Sequence, residues 1–373
     1  MTALAGFMAV VPAGGAGKRL WPVSRPEHPK FLLDLTAAGR TLAQQTWDRL
    51  EPLTGSSGIL VVTGPDHAPA LADQLPGLKT ENILVEPSPR DSLPAIALAA
   101  AVAERRHGDV VLGSFAADHV IGSQDQFEQA VTGAYLAARE GLIATIGIRP
   151  TAPSTAYGYI KAGPSLGLAA DPTVRSVETF KEKPDLATAV VYLQNPDYWW
   201  NAGMFVFQVR VLLRHLERLH PTFAQGINQL ADAWDTPQRD AVAQRIWPTL
   251  DRTPIDLGIA EPVAAEGGMA CVPGDFPWSD LGDFDSLAEV TPEGPNQVRV
   301  LGLDATPQVV GFDSPGALVV SSSSKVIALL GMPDVVVVDT PDAFLVTTRD
   351  QVQQVKKLAD SVPRLSFTPQ APL

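Results

Sequence analysis

The sequence has 373 residues, of which 45% are hydrophobic and 18% are charged. This balance excludes an intrinsically disordered chain and leaves room for one large domain and a smaller one. The formal net charge of −13 argues against a nucleic-acid or anionic-membrane partner, because the sequence has no dense basic cluster to offset it.

A single cysteine, Cys271, excludes an intrachain disulfide and is typical of a buried core residue. No apolar run reaches the ~18 residues of a membrane span, and the N-terminus lacks the basic and long apolar regions of a signal peptide. We therefore expect a cytoplasmic protein without a membrane partner.

Short apolar runs alternate with helical patterns in the first part of the chain. The predicted strands are Phe7 to Val11, Gly58 to Thr63, Ile83 to Val85, Val110 to Phe115 and Leu142 to Ile148. The helical patterns between them are Thr41 to Leu50, Asp66 to Leu75, Leu93 to Arg106 and Gln124 to Arg139. This alternation predicts an α/β fold with a Rossmann-like mixed, mostly parallel sheet and helices on both faces. In such a sheet, ligands bind beyond the carboxyl ends of the strands.

The pattern changes after Glu289 to short β-rich pieces separated by Gly, Pro and Asp. These pieces are Gln297 to Leu301, Ala317 to Val320, Lys325 to Leu329, Val335 to Val338 and Phe344 to Val346, and a helical pattern at Gln351 to Asp360 follows. The segment Thr-Pro-Glu-Gly-Pro-Asn is typical of a linker. We therefore expect one domain over residues 1–288 and a small β-rich domain with a terminal helix over residues 289–373.

The most informative segment runs from Val10 to Leu35, where an apolar strand leads into a glycine-rich turn. Gly14, Gly15 and Gly17 remove side chains where the backbone must turn and approach an anion, and Arg19 and Lys30 supply positive charge. The segment therefore predicts a polyphosphate site.

Two familiar phosphate-binding classes do not fit this segment. A Walker loop needs a glycine where Pro12 stands and Ser or Thr where Arg19 stands. A dinucleotide fingerprint needs a third glycine where Leu20 stands. A nucleotide-dependent dehydrogenase is therefore a weak interpretation.

The order Gly14, Gly15, Gly17, Arg19-Leu20 and Pro29-Lys30 resembles the opening of the sugar-nucleotidyltransferase family. Trp21-Pro22, with Ser24-Arg25 behind it, looks most like the branch that makes GDP-mannose. The run Gly331 to Leu358 resembles that branch's C-terminal segment, which forms a small β-helix-like domain, so the resemblance covers nearly the whole chain. It implies a nucleotidyltransferase catalytic domain over residues 1–288, GTP and mannose 1-phosphate as substrates, and a homodimer.

The resemblance also implies a metal site. Asp118 follows the strand that ends at Phe115 and resembles the family's metal-binding aspartate, and Asp280 in Pro-Trp-Ser-Asp resembles its second metal carboxylate. Two carboxylates completed by phosphate oxygens and water suit Mg²⁺. Taken alone, Asp118 is better explained as a turn or cap residue, as are most aspartates that follow a strand.

The sugar-phosphate side of the family pattern also has matching residues. Glu182-Lys183-Pro184 matches the family's Glu-Lys-Pro signature, in which the lysine neutralises the sugar phosphate and the glutamate accepts hydrogen bonds from sugar hydroxyls. Asn201 resembles the family's sugar-contacting asparagine, and Tyr157-Gly158 looks like the preceding sugar-side loop.

The resemblance assigns the nucleotide to a set of residues that extends beyond the glycine-rich turn. Glu86 offers a carboxylate to the guanine N1–H and N2–H donors, and Ser92 is either a nucleotide contact or the N-cap of the next helix. The full set is Ala13, Gly14, Gly15, Gly17, Arg19, Lys30, Glu86 and Ser92.

Together these residues imply in-line attack of the sugar phosphate on the α-phosphorus of GTP. Arg19, Lys30, Lys183 and Asp118 are the expected catalytic residues. The sequence leaves open a transferase for another sugar 1-phosphate, such as a heptose, or another nucleotide. It also leaves open a catalytically silent regulator that binds sugar nucleotides.

Overall fold

The computed structural model describes residues 3–15 and 17–362. The last eleven residues of the expected C-terminal domain lie outside this range. Contacts divide the described chain into two compact units. Unit 1 comprises residues 3–14, 46–117 and 121–278, and unit 2 comprises residues 15 and 17–45, 118–120 and 279–362. The predicted division at residue 288 stays a prediction, since unit 2 also includes two earlier segments.

The strands of the first three quarters of the chain are, in order, β1 (Phe7–Ala13), β2 (Ile59–Thr63), β3 (Ile83–Val85), β4 (Val111–Ser114), β5 (Val120–Ile121), β6 (Ile143–Ile148), β7 (Tyr159–Ser165), β8 (Arg175–Lys181), β9 (Tyr198–Gln208), β10 (Met269–Pro273) and β11 (Trp278–Ser279). The remaining strands are β12 (Arg299–Gly302), β13 (Gln308–Phe312), β14 (Leu318–Ser321), β15 (Val326–Leu330), β16 (Val335–Asp339) and β17 (Phe344–Thr348). The five strands predicted in the first part of the chain are all present, with small shifts at their ends.

The α-helices are α1 (Leu42–Thr54), α2 (Ala68–Gln74), α3 (Ser92–His107), α4 (Gln124–Arg139), α5 (Leu186–Leu193), α6 (Val209–Leu219), α7 (Pro221–Trp234), α8 (Arg239–Ile246), α9 (Glu261–Ala265), α10 (Phe284–Val290) and α11 (Val355–Ser361). The four predicted helices correspond to α1 to α4. Within the described ranges, no helix is long and apolar enough to cross a membrane.

Unit 1 is built on a nine-stranded sheet in the order β3-β2-β1-β4-β9-β6-β10-β8-β7. The pairs β3-β2, β2-β1, β1-β4 and β6-β10 are parallel, whereas β8 and β9 run against their neighbours. This confirms the mixed, mostly parallel sheet. The carboxyl ends of β1, β3 and β6 therefore lie at one edge, where ligands of such sheets bind.

Helices cover both faces of this sheet. Successive side chains of a strand point to opposite faces, so the apolar strands present apolar side chains to a helix layer on each side. Met8 and Val10 of β1 belong to a core that also contains residues of α3, α6 and α7. Phe7 points to the opposite face and makes an edge contact with Tyr135 of α4, with ring centroids 6.0 Å apart. The prediction of helices on both faces is confirmed.

Unit 2 contains a short β-helix in which strands alternate between two sheets. One sheet has the order β12-β14-β16-β17, and the other pairs β13 with β15 in parallel. The sequence analysis missed β13, and the expected final helix begins as a 3-10 turn at Arg349–Gln354 before α11. The prediction of a β-rich C-terminal region is confirmed.

Candidate active site

Lys30 lies at the centre of one group of predicted site residues, all in unit 2. It begins a 3-10 turn, Lys30–Leu32, that follows the extended Pro29 and is anchored by the buried Phe31. The ammonium Nζ lies 3.1 Å from Asp118 Oδ2 and donates to the backbone oxygen of Asp280 at 2.5 Å. The structure therefore brings Lys30, Asp118 and Asp280 together from three separate chain segments.

Gly17 permits the tight turn before Lys30. Its φ is +54°, and a Cβ at this position would lie 2.7 Å from Ser24 Oγ and 3.4 Å from Lys30 Cγ. Only glycine tolerates both the backbone angle and this approach. The residues that follow form a 3-10 turn, Lys18–Leu20, in which the buried Leu20 anchors the turn.

Arg19 lies near the Asp280 carboxylate, because both groups flank Gly282. A Cβ on Gly282 would lie 3.1 Å from Asp280 Oδ2 and 3.5 Å from Arg19 Nη2. The guanidinium also donates to Gln353 Oε1 at 3.1 Å. Unit 2 therefore holds two cations, Arg19 and Lys30, near two aspartates, Asp118 and Asp280.

The donor set of Asp118 and Asp280 fits a hard divalent cation. Their ligand atoms are carboxylate oxygens, which Mg²⁺ prefers. Across residues 3–15 and 17–362, no group of three or more His, Cys, Asp or Glu side chains has the arrangement of a metal cage. Two carboxylates suit Mg²⁺, which usually takes its remaining ligands from water and substrate phosphates.

A second group of predicted residues lies in unit 1, where β7, β8 and β9 pair. Tyr159 stands opposite both Lys181 of β8 and Trp200 of β9, so the segments beyond these residues are neighbours. The Asn201 backbone N–H donates to the Gly158 oxygen at 2.8 Å. A Cβ on Gly158 would lie only 2.6 Å from Glu182 Oε2. Gly158, Glu182 and Asn201 therefore share one small area.

Tyr157 and Lys183 complete this group. The ring of Tyr157 makes edge contacts with Trp200 and Trp278, at centroid distances of 5.0 and 5.1 Å. Lys183 donates to Glu182 Oε1. Burial alone would lower the pKa of Lys183, but its hydrogen bond to Glu182 and the nearby carboxylates raise it, so the side chain is a stable ammonium.

Asp256 is a charged member of this neighbourhood that the sequence analysis missed. It begins a π-helical turn, Asp256–Ala260, and accepts a hydrogen bond from Asn201 Nδ2 at 2.8 Å. Burial, and secondarily the negative charge of Glu182, raises the pKa of Asp256 to about 7. No local sequence pattern identifies it, because its partners lie on distant segments.

The unit 1 residues assigned to the nucleotide have different surroundings. Ala13 is fully buried at the end of β1, and its carbonyl accepts from Thr63 Oγ1 at 2.8 Å. Gly14 follows it in the exposed turn. Glu86 is only 6% exposed, and its Oε2 has no hydrogen-bond partner within the described chain. Burial raises the pKa of Glu86 to about 7.

Ser92 is the first residue of α3, and Asp91 is the N-cap, accepting from the Ser92 backbone N–H at 2.8 Å. The interpretation of Ser92 as the N-cap is therefore wrong by one residue. Its hydroxyl accepts from the Ile255 backbone N–H at 2.9 Å and ties the helix start to the segment before Asp256. The role of Ser92 in nucleotide binding stays a prediction.

Comparison with known proteins places this arrangement in a family. The profile of the nucleotidyl transferase family matches residues 8–297, and the profile of the MannoseP isomerase/GMP-like beta-helix domain matches residues 307–362. The chain therefore belongs to the nucleotidyl transferase family and carries a β-helix domain of the second kind.

Several individual proteins are similar over most of the chain. The xanthan biosynthesis protein XanB of Xanthomonas campestris pv. campestris (strain B100) is 37% identical, over 95% of this chain and 73% of its own length. A mannose-1-phosphate guanylyltransferase of Escherichia coli (strain K12) is 35% identical over the same shares. A crystal structure from Thermus thermophilus, described as a mannose-1-phosphate geranyltransferase, superimposes with a TM-score of 0.82 at 30% identity, covering 95% of this chain and 99% of that one.

The close approach of Gly158 to Glu182 generates a testable prediction. In Gly158→Ala, the new methyl group would displace the Glu182 carboxylate, because their separation would otherwise be 2.6 Å. We expect the KM for the sugar phosphate to rise about tenfold with little change in melting temperature, since the displaced atom ends a side chain and one lost hydrogen bond to a charged group has about this effect. Gly64→Ala is the control, because Gly64 has no positive φ and an added Cβ there meets nothing within 4 Å. An unchanged KM in Gly158→Ala would contradict the assignment.

Proposed function

We propose that this chain is a mannose-1-phosphate guanylyltransferase, which converts GTP and α-D-mannose 1-phosphate into GDP-mannose and pyrophosphate. The observation that carries the proposal is the grouping of Lys30 with Asp118 and Asp280 in unit 2. A binding protein for an uncharged sugar has no need of a buried ammonium that contacts one aspartate carboxylate and the backbone of a second aspartate. The names of the relatives in Escherichia coli and Salmonella typhimurium support the same activity.

In the proposed reaction, an oxygen of the mannose phosphate attacks the α-phosphorus of GTP in line. A bond forms between that oxygen and the α-phosphorus, and the bond from the α-phosphorus to the bridging oxygen of the β-phosphate breaks. Pyrophosphate leaves with the electron pair. No general base is needed, because the attacking phosphate is already ionised at neutral pH.

The cations of the chain reduce the repulsion between two anionic substrates. We assign Arg19 and Lys30 to the triphosphate and to the charge that develops on pyrophosphate, together with the backbone of Gly14, Gly15 and Gly17. Lys183 is assigned to the sugar phosphate. Its raised pKa keeps it charged throughout the neutral range.

Members of this family generally use a divalent metal. We propose Mg²⁺, with Asp118 and Asp280 as its protein ligands. The ion supplies charge neutralisation and orientation of phosphate oxygens. Lys30 contacts Asp118 directly, so it holds this carboxylate in place and limits the local negative charge when no metal is bound.

Recognition of the sugar and the base is assigned to groups with matching hydrogen-bond chemistry. Glu182 accepts from sugar hydroxyls, and Asn201 and the Tyr157-Gly158 loop contact the same sugar. Glu86 accepts from guanine N1–H and N2–H, which adenine lacks. Its unpartnered Oε2 supports this role, because a buried carboxylate oxygen without a partner is costly.

We further propose that the protein is a cytoplasmic homodimer. In unit 2, the outer face of the β13-β15 sheet exposes a row of apolar side chains, including Phe312 at 61% and Leu330 at 76%, which stand opposite each other. Such a patch is typical of a protein interface. Light scattering of the wild type is expected to give twice the mass of one chain. The double variant Phe312→Glu, Leu330→Glu is expected to be a monomer. A monomeric wild type would contradict this proposal.

The activity is tested with Mg²⁺, mannose 1-phosphate and each of GTP, ATP, UTP, CTP and dTTP in turn, measuring pyrophosphate release. We expect release with GTP alone, and its loss on addition of EDTA. If mannose 1-phosphate gives no release, other sugar 1-phosphates are assayed with the same five nucleotides, and release with one of them would reassign the substrate. Silence with every sugar phosphate would favour the binding regulator.

Two substitutions test the residues that carry the proposal. Asp118→Asn and Lys30→Ala are each expected to lower kcat at least about a hundredfold, because each removes charge that acts on the transferring phosphates. Circular dichroism should show that the fold is retained. Lys79→Ala, at an exposed position of unit 1, is the control. Near-normal rates in either variant would refute the assignment.

The pKa of Glu86 generates a pH prediction. Its pKa of about 7 means that the carboxylate is protonated below this pH and loses its capacity to accept two guanine donors. The KM for GTP should therefore rise as the pH falls from 8 to 6, by about tenfold per unit below the pKa. Glu86→Gln should raise this KM at pH 8 and flatten the profile. An identical profile in wild type and Glu86→Gln would exclude Glu86 from base recognition.

A further inference from the structure

The side-chain amide of Asn201 makes hydrogen bonds that define its orientation. Its Oδ1 accepts from Thr145 Oγ1 at 2.8 Å and from the Gly203 backbone N–H at 3.2 Å. Its Nδ2 donates to Asp256 Oδ1 at 2.8 Å. Both acceptor positions and one of the two amide hydrogens are therefore used within the protein. One N–H of Asn201 is left for a ligand.

Asp256 and Gly203 together exclude the flipped amide. A backbone N–H cannot accept, so a flipped Asn201 would set its amide N–H groups against the Gly203 N–H at any pH. Above the Asp256 pKa of about 7, where the carboxylate is ionised and cannot donate, the flipped amide would also set its oxygen against that carboxylate. We propose that Asp256 is the positioning residue that orients Asn201 so that it presents a hydrogen-bond donor to a hydroxyl of the sugar 1-phosphate. This inference rests on the proposed function.

The hydrogen bonds that hold the backbone around Asp256 support a positioning role. The preceding segment is tied to the start of α3, since Leu93 N–H donates to the Thr253 oxygen at 3.1 Å and Ile255 N–H donates to Ser92 Oγ. The following Gly258 is buried, and its carbonyl oxygen lies 2.9 Å from His220 Nε2. The backbone on both sides of Asp256 is therefore held by other elements.

The charged groups around Asp256 do not replace Asn201 as its hydrogen-bond partner. Burial is the main cause that raises the pKa of Asp256; Glu182 and Asp91 raise it further by repulsion and Lys183 lowers it, but Lys183 donates to Glu182. Asn201 is thus the side chain that donates to Asp256 within the described chain. Glu182 offers an acceptor beside Gly158, so a fixed donor and a fixed acceptor face the same sugar.

The test compares Asp256→Ala with Asp256→Asn by steady-state kinetics on the full chain. We expect Asp256→Ala to raise the KM for mannose 1-phosphate about tenfold, with the KM for GTP changed less than about twofold, because loss of one hydrogen bond to a charged group has about this effect. Asp256→Asn should restore most of the loss, since its carboxamide oxygen still accepts from Asn201. A role of the Asp256 charge would not be rescued by Asn, whereas a purely structural role would lower the melting temperature and would not act selectively on the KM for mannose 1-phosphate.

A double-mutant cycle with Asn201→Ala tests whether Asp256 acts through that residue. The Asp256→Ala change should have little further effect in the Asn201→Ala background. Thr145→Val removes the donor to Asn201 Oδ1, and it should also have little further effect in the Asn201→Ala background. This variant replaces Asp256→Ala in the cycle if Asp256→Ala fails to fold. The inference would be overturned if the Asp256→Ala and Asn201→Ala effects on the KM for mannose 1-phosphate multiply in the double variant. It would also be overturned if Asp256→Asn is as impaired as Asp256→Ala. A wild type that releases no pyrophosphate with mannose 1-phosphate would instead refute the proposed function, and the inference with it.

Discussion

The buried ammonium of Lys30 is the constraint on which unit 2 depends. Lys30 is only 9% exposed, and a buried charge is tolerated only with close, well-placed partners. Those partners are Asp118 and the backbone oxygens of Asp280 and Leu281, from segments far apart in the chain. These segments belong to the same compact unit as the β-helix. The ammonium offsets the charge of the Asp118 carboxylate, which it contacts directly.

Much of this arrangement could be predicted from the sequence because it depends on local pattern. The apolar runs of β1, β2 and β4 fix the strands, and the polar residues that follow them mark the edge where ligands bind. The sequence places Gly17 in a glycine-rich turn, and the structure gives it a positive φ and a close approach to Ser24. The resemblance implied that Lys30 binds phosphate and that Asp118 and Asp280 bind a metal, and these roles stay predictions. The 3.1 Å ion pair between Lys30 and Asp118 is seen only in the structure.

The remainder depends on contacts between distant segments, which a single sequence does not display. In the sequence Asp256 looks like an ordinary acidic residue. Its contact with Asn201 is visible only in the structure, where Asn201 Nδ2 lies 2.8 Å from Asp256 Oδ1. Ser92 and Asp91 are both good N-cap residues, and the tertiary bond from Ile255 to Ser92 determines which one caps α3. The strand β13 was missed because Gly311 interrupts its short apolar run, which is typical of a turn or loop.

The central claim, that Asp118 and Asp280 hold a metal with the nucleotide, is tested most directly by electron paramagnetic resonance of Mn²⁺ titrated into the protein with GTP. We predict that Asp118→Asn and Asp280→Asn each weaken Mn²⁺ binding about tenfold or more, as the loss of groups essential to a metal site does. Asp304→Asn, at an exposed position of unit 2, should bind as wild type. Unchanged Mn²⁺ affinity in both site variants would contradict the account.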